Sequence, residues 1–175
     1  MKVFLWGMMG SGKTSTGKVL AQRLGLPWVD LDDRIAEMAG QAVPALFEAI
    51  GQQAFRELEQ QALQAVLAGP DCVLSCGGGT PCFFDNAAQM NAVGYTVYLH
   101  TTVEELARRL ADETAHRPLL QDTTPQSLYN QLAHLLHKRQ NAYLQARLVL
   151  DTDGLPPTTV AALIVEQQIS QLKRE

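Results

Sequence analysis

Between Gly7 and Thr14 the chain reads GMMGSGKT, which fits G-x-x-x-x-G-K-[ST] at every fixed position. The spacing has a chemical reading. Glycines let the backbone curl so that successive N–H groups turn toward phosphate oxygens, and a helix starting here adds the positive end of its dipole. In that arrangement Lys13 reaches the β- and γ-phosphates of a nucleoside triphosphate and the Thr14 hydroxyl ligates Mg²⁺. A glycine-rich turn that happens to precede a lysine is the plain alternative. The setting favours the phosphate loop, because an apolar run over residues 3–6 leads in and a helical pattern over residues 14–24 leads out.

Asp30 and Asp32 stand two apart at the end of a second short strand, residues 28–30. In extended chain both side chains lean to one face, where two negative charges repel. A cation between them and the phosphates relieves that repulsion, and a carboxylate beyond the metal can orient an attacking hydroxyl and accept its proton. The competing reading is a helix cap: Asp32 or Asp33 precedes Arg34-Ile35-Ala36-Glu37, where aspartate satisfies orphan N–H groups. The nearby phosphate loop tips Asp32 toward catalysis.

Three arginines fall where charge needs a reason. Arg56 lies beside the apolar stripe Phe55, Leu58, Ala62 and Val66, with Glu59 three residues on to hold its guanidinium. Arg139 follows Leu128, Leu132, Leu135 and Leu136 at inward spacing. Each alone reads first as a snorkelling side chain; two at the rim of one cleft suit a carboxylate, which the planar fork binds bidentately. Arg117 sits in His116-Arg117-Pro118-Leu119-Leu120, within residues 111–125, a stretch with no helical or strand signal that reads as a mobile lid. Gly77, Gly78 and Gly79 follow a third strand, and three glycines together point to something approaching bare main chain.

Positioning these groups takes alternating elements. Strands are expected at residues 3–6, 28–30, 73–75, 95–100 and 148–151, with helices between them, which indicates a parallel sheet covered on both faces. At 175 residues one domain is the default. The 14 basic and 18 acidic residues leave a net charge of −4, which supports neither nucleic acid nor an anionic membrane surface as partner. Cys72, Cys76 and Cys82 are odd in number, one of them inside a probable strand, and read as reduced thiols. MKVFLWG is too short in its apolar run for a signal peptide or a span, so the expected location is the cytoplasm.

Taken in order, these motifs resemble the shikimate kinase family over nearly the whole chain. The residues that carry the likeness are Asp30-Leu31-Asp32, Phe55-Arg56-Glu57-Leu58-Glu59, Gly77-Gly78-Gly79, Arg117-Pro118-Leu119-Leu120, and Lys138, Arg139 and Tyr143. The resemblance implies a three-layer αβα P-loop kinase fold with a five-stranded parallel sheet; a monomer is expected. It implies transfer of the γ-phosphoryl group of ATP, with Mg²⁺, to the 3-hydroxyl of shikimate. On this reading Gly10, Ser11, Gly12, Lys13, Thr14 and Ser15 hold the nucleotide, and Arg117 covers the transferring phosphate. Lys13, Asp32 and Arg117 are the catalytic residues. Thr14 ligates the metal, and Asp30 and Asp32 do so through water. Asp32, Arg56, Gly77, Gly78, Gly79 and Arg139 bind shikimate, the ring packing on main chain where a β-carbon would collide with it.

Two departures matter. No arginine follows the fifth strand beside the expected adenine position, and residues 80–86 differ from the versions common in the family. The alternatives are another small-metabolite kinase, for gluconate or a nucleoside monophosphate, and a catalytically silent nucleotide-binding relative. The first usually lacks the triple glycine and the R-P-L-L segment; the second is expected to have lost Asp32 or Lys13. A guanine switch would carry N-K-x-D, which the sequence does not contain.

Overall fold

Val3, Phe4, Leu5 and Trp6 are all apolar, so a strand containing them has no face to give to water. In the computed structural model, which describes residues 1–114 and 124–172, all four are fully buried in strand β1 (Lys2–Trp6). Side chains alternate across a strand, and Val3 and Leu5 enter one core while Phe4 and Trp6 enter another. β1 is therefore central. It pairs in parallel with β3 (Val73–Ser75) and β4 (Gly94–His100), β2 (Trp28–Asp30) flanks β3, and β5 (Leu148–Asp151) flanks β4. The order β2-β3-β1-β4-β5 is all parallel.

Helices cover both faces, making three layers. Helix α1 (Lys13–Leu24) and helix α7 (Pro157–Leu172) pack Leu20, Ala21, Val160, Ala161 and Ile164 against Val3, Leu5, Val97 and Leu99. The opposite face takes α2 (Leu31–Ala39), α3 (Val43–Ala68), α4 (Asn86–Val93), α5 (Val103–Thr114) and α6 (Pro125–Tyr143). Each fully buried Leu or Phe on these faces contributes about 1.5–3 kcal/mol. α3 is broken at Gly51 (φ 76°, ψ 174°). Parallel strands bring the carboxyl ends of β1, β2 and β3 to one edge, where β1 lies between β3 and β4 and a crevice opens.

Two expectations are corrected. α5 runs through Thr114 and α6 opens at Pro125 with Thr124 as its N-cap, so residues 111–114 and 125 are helix and not lid; residues 115–123, Arg117 included, lie outside the described residues. Cys72 and Cys76 flank β3, and neither is inside it. All three cysteines are free thiols.

Candidate functional site

The segment after β1 forms a phosphate-sized cradle at the edge of the sheet. Gly12 occupies the N-cap of α1 in the left-handed conformation (φ 87°), which a side chain rarely adopts, and α1 has no side-chain cap. Its first-turn N–H groups are thus left for a ligand. Ser11 Oγ is buried with no hydrogen-bond partner among the described residues. Lys13 Nζ donates to the carbonyls of Gly7 (2.9 Å) and Met8 (2.8 Å), held against the loop it would leave to meet a phosphate. Burial lowers the Lys13 ammonium pKa to about 8, against the pull of nearby acidic groups. An anion at the loop reverses that cost.

The two aspartates divide the roles that the sequence left open. Helix α2 begins directly after β2, and its N-cap is Asp30, whose Oδ1 accepts from the Asp32 N–H at 3.0 Å. Asp30 Oδ2 also accepts from Thr14 Oγ1 at 3.3 Å. Asp32 is thereby released from capping. It does not share an extended strand face with Asp30, as expected, because it sits in the first turn of α2. Its side chain is exposed to the cavity, with Oδ1 beside Gly77. Burial, then the charges of Asp30 and Glu59, push Asp32 up to about 6, while Lys13 pulls the other way. Thr14, Asp30 and Asp32 offer oxygen donors only, an arrangement that fits a hard divalent cation near the phosphates.

The three glycines follow β3 at the same edge. Each leaves room for a side chain from elsewhere in the chain. A β-carbon on Gly77 would lie 3.0 Å from Glu59 Oε1 and 3.2 Å from Asp32 Oδ1; on Gly78, 3.1 Å from Arg139 Nη1; on Gly79, 2.7 Å from both terminal nitrogens of Arg56. The crowding expected from a bound ring is thus already supplied by the protein's own side chains. Tyr143 OH donates to the Gly78 carbonyl at 2.5 Å, fixing the glycines to α6.

Arg56 and Arg139 converge. They stand at consecutive glycines, and both guanidiniums act on the Cys82 thiol, which burial otherwise raises. Arg56 is 12% exposed, paired with the buried Glu59 at 2.6 Å, and stacked 4.4 Å from the Phe83 ring. Its stem does not lead to open water, as snorkelling requires.

A cavity of about 980 Å³ extends from Asp30, Asp32, Gly77 and Gly78 along the phosphate loop to Arg109 and the turn around Pro156. Arg109 went unread in the sequence. Its guanidinium donates to the carbonyls of Gly10 and Thr152, each at 3.2 Å, and to Glu105 at 2.7 Å, so α5 sets a cation between the phosphate loop and the turn after β5. The only sequence signal was the run Glu105-Leu106-Ala107-Arg108-Arg109, an ordinary helical charge pattern.

A phosphate loop leaving the central strand of an all-parallel sheet in this order is the build of the P-loop kinases. The tight acceptor side, with two arginines at adjacent glycines, makes this one a kinase of a small metabolite. Comparison with known proteins narrows the class. The profile of the family described as "Shikimate kinase" matches residues 9–169. A shikimate kinase of Parabacteroides distasonis is 44% identical over 154 residues, 88% of this chain and 89% of that protein. The crystal structure of shikimate kinase from Bacteroides thetaiotaomicron superposes with a TM-score of 0.90 at 36% identity, over 97% of this chain and 98% of that one. Shikimate kinase from Acinetobacter baumannii, solved in complex with shikimate, gives 0.87 at 32% identity, covering 97% and 93%. The chain belongs to the shikimate kinase family. It is an ATP-dependent kinase.

Proposed function

We propose that this protein transfers the γ-phosphoryl group of ATP to the 3-hydroxyl of shikimate, giving shikimate 3-phosphate and ADP. The observation that carries the reading is the meeting of Arg56, Arg139 and Asp32 at Gly77–Gly79, one residue step apart along the glycines and beside the phosphate loop. Two guanidinium forks hold a carboxylate in one orientation. The ring hydroxyl of the acceptor then faces Asp32, and the loop presents the phosphorus on the other side. A carboxyl raised to about 6 is ionised at neutral pH, yet basic enough to take the hydroxyl proton as the O–P bond forms.

Gly10, Ser11, Gly12, Lys13, Thr14 and Ser15 receive the phosphates, with Lys13 exchanging the Gly7 and Met8 carbonyls for phosphate oxygens. Arg109 and the turn before α7 are assigned to the base end of the nucleotide, a planar guanidinium being suited to stacking. A bound Mg²⁺ would neutralise phosphate charge; Thr14 would hold it directly, Asp30 and Asp32 through water. Arg117 is assigned to the transferring phosphate on sequence grounds, and Gly78 to a main-chain contact with shikimate. Among the described residues no helix is long and apolar enough to cross a membrane; we place the enzyme in the cytoplasm as a monomer.

The test is a coupled ADP-release assay with shikimate, gluconate, nucleoside monophosphates and no acceptor. Shikimate is expected to give turnover far above the others. Equal release without acceptor would leave only a nucleotide hydrolase or binding protein, and preference for another acceptor would move the assignment there.

A further inference from the structure

Residues 80–86 differ from the versions common in the family, and they open on a buried hydroxyl. Thr80 is fully buried in the short 3₁₀ turn Thr80–Cys82, directly after Gly79. Its Oγ1 donates to Glu59 Oε1 at 2.6 Å. The other oxygen of the same carboxylate, Oε2, accepts from Arg56 Nη1 at 2.6 Å. Glu59 is 1% exposed, so both of its oxygens depend on protein donors. Asn86, at the start of α4 and also fully buried, donates from Nδ2 to the Thr80 carbonyl at 3.0 Å, which fixes the turn.

We infer that Thr80 is a positioning residue for acceptor binding: through Glu59 it sets the angle at which Arg56 presents its fork at Gly79. This rests on the assignment of Arg56 to the substrate carboxylate. The geometry leaves Glu59 one free choice. With Thr80 on Oε1, Glu59 takes a single Arg56 nitrogen through Oε2, and the second terminal nitrogen stays available to a ligand. Without the hydroxyl, a buried carboxylate oxygen has no donor, and the nearest remaining one is the Arg56 fork itself. Glu59 then rotates toward bidentate pairing and withdraws the guanidinium from the acceptor. Thr80 touches neither nucleotide nor acceptor; it acts only through the ion pair.

Thr80→Val keeps the shape and removes the donor. The expected result is a rise in KM for shikimate of about 5- to 20-fold, with KM for ATP unchanged and a fall in kcat smaller than the rise in KM. Thr80→Ser retains the hydroxyl and is expected to restore KM for shikimate to within about twofold of the parent. Arg56→Lys, measured in parallel, separates the two layers. If it raises KM for shikimate while Thr80→Val does not, the positioning role is wrong and the carboxylate assignment stands. If Arg56→Lys leaves that KM unchanged, the carboxylate assignment itself fails. Equal rises in both substrates' KM values for Thr80→Val, or failure of Thr80→Ser to rescue, would reduce Thr80 to general packing and overturn the inference.

Discussion

The Arg56 guanidinium fills the space that a β-carbon on Gly79 would need, with both terminal nitrogens 2.7 Å from that position. Gly79 has an ordinary helical backbone (φ −94°, ψ −17°), so glycine is required there by crowding and not by conformation. Gly79→Ala must push the guanidinium off its seat. The expected effect is a roughly tenfold or larger rise in KM for shikimate with KM for ATP little changed, read from initial rates at varied acceptor. An unchanged KM would mean that Arg56 does not hold the acceptor.

Arg139 is expected to act through its planar fork. Arg139→Lys keeps the charge and loses the second donor direction, which should weaken shikimate binding by about 1.5–3 kcal/mol. Titration calorimetry with shikimate in the presence of a non-hydrolysable ATP analogue measures it. Unaltered affinity would return Arg139 to the role of a side chain covering apolar surface.

The chemistry at the phosphate loop was legible in the sequence because its parts are contiguous: the turn, Lys13 and Thr14 lie within eight residues of one another. The sheet was legible for the same kind of reason, since short continuous apolar runs that stop at glycine, such as residues 3–6, alternate with helical patterns as buried parallel strands do. What escaped depends on distance along the chain. Arg109 reaches Gly10 across 99 positions, Tyr143 reaches Gly78 across 65, and Thr80 reaches Glu59 across 21. No local pattern encodes those meetings. The aspartates are an intermediate case: spacing placed both at the site, but only the start of α2 at Leu31 shows that Asp30 caps the helix and frees Asp32.

If Asp32 takes the hydroxyl proton, Asp32→Asn should lower kcat by roughly 10²- to 10⁴-fold while the variant still binds ATP. The same substitution should affect stability in a pH-dependent way. A carboxyl raised from 3.8 to about 6 favours folding when protonated, and that contribution is lost as pH rises through 6. Asn escapes this loss. Thermal melts should therefore show the variant more stable than the parent at pH 8, with the advantage shrinking below pH 6. Solvent screening from the open side of Asp32 keeps the gain small.

Turnover should pass through a maximum with pH. Activity needs Asp32 ionised and Lys13 protonated, so kcat/KM for the free enzyme should fall tenfold per unit below about pH 6 and again above about pH 8. In Asp32→Asn the acid limb should vanish from the residual rate and the alkaline limb persist. An acid limb unchanged in that variant would assign it to another group.

Phosphorus and proton NMR of the products formed from ATP and shikimate put the reaction itself to the test. One phosphorylated species is expected, substituted at the 3-hydroxyl and equimolar with the ADP released. Free phosphate in place of that ester, or an ester at a different hydroxyl, would contradict a site in which two arginines fix the carboxylate and Asp32 faces the reacting oxygen.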